Sequence, residues 1–157
     1  MAAETKLPMR NERLQSRQLS TFYLGDRLYG IDVTQVQEVT KPLPMTSLRL
    51  APPYIMGLIN LRGQIATAIG LRELFGLSPE HSDERHTVVC RVEGGLLSLL
   101  VDRIGDVVEV AENEFEPLPD STDPKLKRFM EGVYKTKGPL LTVIGIHLIS
   151  EELNQKN

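Results

Sequence analysis

The chain has 157 residues, 41% of them hydrophobic, which suffices for one domain of ordinary size or two small barrels sharing a core. Its formal net charge is −3, only 5% of residues are aromatic and none is tryptophan, so it lacks the basic face and the stacking platform that nucleic-acid binding needs. The single cysteine, Cys90, excludes an intrachain disulfide and fits a reducing compartment; with no apolar run near the ~20 residues of a membrane helix and no apolar segment in residues 1–20 for a signal peptide, the expectation is a soluble cytoplasmic protein.

Residues 1–18 mix charged and polar side chains and read as a flexible tail, and 153–157 as a second short tail. Residues 19–24 and 28–33 are expected strands joined by a hairpin turn at Gly25-Asp26-Arg27. Residues 34–40 fit either a turn of helix, on the spacing of Val33, Val36 and Val39, or a further strand. Lys41-Pro42-Leu43-Pro44 and Ala51-Pro52-Pro53 are extended, because proline drives its predecessor out of the helical region. Residues 57–61 and 64–69 form a hairpin around Arg62-Gly63, and Leu71, Leu74 and Phe75 make a short amphipathic helix stopped by Gly76. The polar stretch 78–86, with Pro79, divides the chain into halves.

Residues 87–92 and 96–101 pair across Gly94-Gly95, with Cys90 as a small buried hydrophobe, and 107–110 is a further strand. Asp123-Pro124 is an N-cap followed by proline at the first helical position. The basic cluster Lys125, Lys127, Arg128 on that helix reads as a solvated face. Residues 132–136 and 140–144 form a last hairpin around Lys137-Gly138, and 146–153 is a terminal helix.

One pattern occurs twice. Residues 57–71 return at 132–146 without a gap, identical at five of fifteen positions. A second echo relates 30–39 to 98–107: small, aliphatic, any, Val, any, any, Val or Ile, any, acid, Val. Strands resemble each other by chance, since Val and Ile dominate them, but two echoes in the same order mark two similar halves. The expected fold is all-β with a few short helices, in two five-stranded barrels around a shared hydrophobic core. Arg62 stands at a tight turn, where composition alone favours a solvated residue; the functional alternative is a guanidinium that bonds a partner's carboxylate or carbonyl, and its counterpart Lys137 cannot make the same planar fork.

Residues for chemistry are scarce. His81, His86 and His147 offer no zinc spacing, and there is no phosphate loop or dinucleotide fingerprint. Ser98 and Thr142 lie in strands without a histidine partner, and Asp32, Asp102 and Asp106 read as acids at strand ends facing water. No catalytic residue, cofactor or metal ligand is assigned, and the chain is read as non-enzymatic.

The sequence resembles the CheW family of chemotaxis coupling proteins. The residues that carry the resemblance are Leu24 to Val39 with Tyr29-Gly30-Ile31-Asp32, then Gly57 to Gly63 with Asn60-Leu61-Arg62-Gly63, then Leu71 to Leu77, Leu100 to Ile104 and Gly132 to Lys135. It covers 19–152, which it implies are one CheW-like domain of two SH3-like subdomains, divided near 78–86. It also implies an adaptor that binds the cytoplasmic tip of methyl-accepting chemoreceptors and the regulatory domain of the histidine kinase CheA, with no nucleic acid and no direct insertion into the membrane. Carried over by motif, Val36, Glu38 and Arg62 would face the receptor, completed by Val88, Ser98 and Ile104. Met56 and Gly57 would lie toward the kinase. The family pattern has Asp where Gly70 and Gly145 stand, Pro at Thr67 and Gly at Ser98. These departures raise the alternative of a divergent coupling protein of a non-flagellar chemosensory system, controlling twitching or gliding motility or second-messenger output.

Overall fold

The computed structural model describes residues 15–78 and 85–155. His81, most of the polar linker and residues 1–14 of the expected tail lie outside them. The strands are β1 Ser16–Leu24, β2 Arg27–Asp32, β3 Val36–Thr40, β4 Ile55–Leu61, β5 Gln64–Gly70, β6 His86–Val92, β7 Gly95–Val101, β8 Arg103–Ala111, β9 Met130–Tyr134 and β10 Leu141–Ile144. The helices are α1 Leu71–Leu74, α2 Pro124–Lys127 and α3 Ile146–Gln155. Residues 16–18, expected in the tail, belong to β1, and α3 runs past the expected end at 153. The two readings of 34–40 both occur, in succession: a 3-10 turn Val33–Gln35, capped by the Asp32 side chain, and then β3.

The strands form two five-stranded sheets, ordered β8-β1-β2-β10-β9 and β3-β6-β7-β5-β4. The expected all-β architecture of two five-stranded units is present. The division at the linker is not. The first sheet takes β1 and β2 from before the linker and β8 to β10 from after it; the second takes β3 to β5 and β6 to β7. Each half therefore gives a hairpin to one sheet and three strands to the other. The closing contacts are parallel, β2 on β10 (Leu28↔Leu141) and β7 on β5 (Ala66↔Leu96). The echo of 30–39 in 98–107 marks the two places where the chain crosses between sheets: β2 to β3 through the 3-10 turn, and β7 to β8 through Asp102. A repeat identifies equivalent segments but not which copies pair, because self and exchanged pairing bury the same pattern.

The second copy of the hairpin also departs from expectation. In the first, Gln64 pairs with Leu61 across the two-residue turn. The equivalent of Gln64 is Pro139, which has no N–H to donate. Pairing there stops at Leu141↔Tyr134, and residues 135–140, Lys137 included, form a loop instead of a tight turn.

Both sheets are covered on both faces. Between them lies a shared core that includes Phe22, Tyr29, Ile31 and Ile144 from the first sheet and Ile69, Val88, Leu97 and Leu99 from the second. Phe22, Tyr29, Phe75 and Phe129 contact in sequence there, at ring separations of 5.9, 5.7 and 6.0 Å. The second sheet encloses Ile59, Leu61, Ala66, Ala68, Val89 and Leu96, and the first encloses Leu19, Leu28, Tyr134, Leu141 and Val143. This explains the unbroken run of buried residues from Leu96 to Val101 in β7, where a one-sided strand would alternate. Cys90 is fully buried in the shared core, and that burial pushes its thiol up to about 12, so it stays protonated.

Candidate partner-binding site

β3 and β4 are the two edge strands of the second sheet, and an ion pair joins β3 to the turn at the end of β4. Leu61 pairs with Gln64, so the β4–β5 turn consists of Arg62 and Gly63. Their φ angles are 51° and 93°. Two positive φ values define the type I′ chemistry that suits the right-handed twist of a hairpin, and Asn or Gly is the usual first residue. Asn60 stabilises the turn by accepting the Gly63 N–H through Oδ1 at 2.9 Å. An arginine at this place is held against its backbone preference, at a cost of about 1 kcal/mol. Its side chain is 72% exposed, and Nη2 donates to Oε1 of Glu38 on β3. Glu38 sits opposite Val89 in the β3–β6 ladder, half-buried.

Val36, on β3, and Ile104, on β8, are half-buried against the shared core from opposite sheets. Four of the six expected receptor-facing residues thus retain accessible surface. The other two do not: Val88 and Ser98 are both 0% exposed. Val88 lies between Val39 and Leu99, inside the shared core; Ser98 lies between Val89 and Ala68, inside the second barrel. The expectation that they touch a partner is corrected, because no partner reaches them without opening the sheet. Ser98 Oγ has no hydrogen-bond partner among the described residues.

Of the two residues expected toward the kinase, Gly57 is buried in the bulge where β4 slips against β5. A side chain there would meet the Thr46 carbonyl oxygen at 2.5 Å. Met56 is half-buried against the core of the second barrel.

A buried ion pair escaped the sequence reading. Arg72, in α1, is 7% exposed. Its Nε donates to Asp102 Oδ1 at 2.9 Å, its Nη2 to Oδ2 at 2.6 Å, and its Nη1 to the Ser78 carbonyl at 2.6 Å. Asp102 Oδ2 also accepts the Gly25 N–H at 2.7 Å. Burial would push the Asp102 carboxyl up, but the hydrogen bonds and charge of Arg72 and the Gly25 N–H hold it below the usual carboxylate range. The expectation that Asp102 faces water is corrected. The available signal was position: Asp102 interrupts an apolar strand run where the chain changes sheets. Asp32, at the other crossing, accepts from Thr34 N and Oγ1 and pairs with Arg17 at 3.3 Å. Burial acts upward on its carboxyl too, and these donors overcome it and hold it low.

His86 begins β6 with Nδ1 buried, and His147 lies 3.9 Å from Glu131. Among the described residues no His, Cys, Asp and Glu cluster is arranged to hold a metal ion, and no helix is long and apolar enough to cross a membrane.

Residues 18–153 match the family model of the CheW-like domain. The chain is 33% identical to the chemotaxis protein CheW of Treponema pallidum, over 88% of this chain and 85% of that protein. It is 28% identical to the chemotaxis protein CheW of Rhizobium meliloti, over 87% and 90%. Among solved structures it superposes on the scaffolding protein TtCheW from Thermoanaerobacter tengcongensis with a TM-score of 0.77 and 32% identity, covering 85% of this chain and 91% of that one. A match across nearly the whole length, in sequence and in fold, places this chain in the CheW family.

Proposed function

We propose that this protein is a non-enzymatic adaptor in a bacterial chemosensory system, coupling the cytoplasmic tip of methyl-accepting chemoreceptors to the regulatory domain of a CheA-type histidine kinase. The observation that carries the reading is Arg62: an exposed guanidinium, paired with Glu38, on a turn whose geometry disfavours it. Strain kept at an exposed position points to use by a partner. Val36 and Ile104 supply apolar surface for a helix lying across the sheets, and Glu38 and Arg62 supply charge. The related proteins are chemotaxis proteins CheW, and one of known structure is the scaffolding protein TtCheW. The protein acts at the inner membrane surface through its partners and lies in the cytoplasm.

The alternative of a non-flagellar output gains no support from Gly70 and Gly145. Gly70 is the N-cap of α1 and Gly145 immediately precedes α3, so the aspartates of the family pattern are explained as helix caps. Their loss is a local matter of helix ends.

The test is calorimetric titration of the full chain with a dimeric receptor-tip fragment and, separately, with a kinase regulatory domain. Binding to both is expected. Arg62→Ala and Glu38→Ala should each weaken receptor binding with thermal unfolding nearly unchanged. Failure of the wild-type chain to bind either partner overturns the proposal.

A further inference from the structure

The two crossings between sheets are equivalent in sequence and unequal in structure. In the echo, Asp102 corresponds to Thr34; one residue past the end of the longer repeat, at the same offset, Arg72 corresponds to His147. At the β7-to-β8 crossing, a two-pronged guanidinium–carboxylate contact is buried, and it joins three elements. Arg72 belongs to α1, which continues directly from β5 of the second sheet; Asp102 is the crossing itself; Gly25 is the β1–β2 turn of the first sheet. The Asp102 N–H adds a bond to the Tyr23 carbonyl at 3.1 Å.

The β2-to-β3 crossing has no counterpart to this pair at Thr34 and His147: Thr34 bonds its own neighbour Asp32, and His147 faces Glu131. There the exposed Arg91 reaches the carbonyls of Thr34 and Val36 at 3.1 and 3.4 Å. Arg17 pairs with Asp32 there at 3.3 Å, but β1 and β2 both belong to the first sheet; beside Arg91 lies an open cavity of about 470 Å³, bordered by Gln35, Arg91, Glu93, His147 and Glu151.

We infer that Arg72 and Asp102 are positioning residues for the partner site: their pair is the fixed pivot between the sheets, and the β2-to-β3 crossing is the side on which the sheets move relative to each other. Ile104 follows Asp102 by two residues, and Val36 follows the open crossing directly, so the pivot sets the separation of the two apolar residues that face a partner helix. The structural part stands alone; its consequence for binding rests on the adaptor reading.

The experiment is a pulsed electron–electron distance measurement on the full chain, with spin labels on cysteines placed at Ile65 of β5 and Val107 of β8, which are 57% and 58% exposed. Cys90, fully buried with its thiol held neutral, stays unlabelled. A narrow distribution is expected in the labelled parent and in an Asp106→Asn control, and a broadened one in Asp102→Asn. Should Asp102→Asn fail to fold, Arg72→Lys, which keeps the charge but not the fork, is read in its place. Receptor-tip affinity should fall at least tenfold in the folded variant while kinase-domain affinity stays within twofold. A purely structural role would lower both together through the unfolded fraction. Unchanged distance distributions overturn the inference; a wild-type chain that binds no receptor tip overturns the adaptor reading and leaves the pivot standing or falling on the distances.

Discussion

Arg62→Asn should make the protein more stable and a poorer binder, a combination that only a strained functional residue produces. In the turn, Arg62 has φ 51°, and asparagine tolerates that region far better than arginine. Relief of the backbone cost contributes about 1 kcal/mol. Against it stands the Glu38 ion pair, with Arg62 72% exposed, so its loss costs no more than about 0.5 kcal/mol after solvent screening. The Asn60–Gly63 bond is untouched. A net gain of about 0.5 kcal/mol raises Tm by about 1–2 °C for a chain of this size. Binding moves the other way: removal of an arginine at an interface centre costs about 1.4 kcal/mol or more, a tenfold loss of affinity. Scanning calorimetry and titration with the receptor tip read both quantities on one preparation. Arg62→Lys separates strain from charge, since it keeps both the backbone strain and the positive charge but loses the fork; its Tm should match the wild type while binding weakens. A lower Tm in Arg62→Asn, or wild-type affinity, would refute the reasoning.

The buried Ser98 hydroxyl has no partner, so Ser98→Ala should leave stability unchanged or raise it by about 1 kcal/mol in urea titration; a loss beyond 1 kcal/mol would mean the hydroxyl is satisfied after all. Asp102→Asn should cost about 2 kcal/mol at neutral pH, below the range for a fully buried pair because a fifth of the Asp102 side chain meets solvent. The carboxyl is held below its ordinary value near 4, so its contribution is complete above that pH and disappears as pH falls through the folded value. Wild type and variant should therefore converge in acid, and a gap that does not narrow as the pH falls would contradict the ion-pair account. Gly145→Asp should stabilise by about 0.5 kcal/mol through capping and the helix dipole, with the flexible end of Leu148 to displace at 2.9 Å and the His147 and Glu131 side chains to give slightly at 3.1 and 3.2 Å. Gly70→Asp should not, because its side chain meets the Glu73 carboxylate, which Arg85 already holds at 2.8 Å; equal gains at both glycines would argue against this distinction.

Hairpins were legible where a glycine turn separates two short apolar runs, as in β1–β2 and β6–β7, because turn chemistry and strand pattern are both local. β8 was seen only over 107–110 because Gly105 and Asp106 are poor strand formers. The structure accommodates them with a bulge: the β1–β8 ladder slips at Thr21, whose hydroxyl donates to the Asp106 carbonyl, and Gly105 leaves room for that hydroxyl. Glu38 and Arg62 were found by motif and prove to touch each other. Val88 and Ser98 were misplaced for a physical reason: in a sheet covered on both faces, alternation no longer says which face meets a partner. The interrupting position of Asp102 was visible but its pairing with Arg72 was not, because that depends on a contact between residues 30 apart in the chain, across the boundary of two sheets.

The exchange of hairpins gives the differences between the two copies their importance. Two identical halves would form two equivalent turns and two equivalent crossings, and nothing would distinguish one face of the molecule from its counterpart. The copies have diverged at both places and hardly at the helix starts, where Gly70 and Gly145 remain alike. Pro139 opens the second turn, so only the first presents a guanidinium on a tight loop beside an acid of an edge strand. Asp102 and Arg72 close one crossing with a buried two-pronged contact, whereas at the other the exposed Arg91 reaches two backbone carbonyls beside a cavity. On the proposed adaptor reading such inequality is needed, because a symmetric body would offer each of two unlike partners two equal and competing places. The asymmetry was obtained by altering turns and crossings, which lie outside the shared core, and so left the packing that holds both barrels together intact.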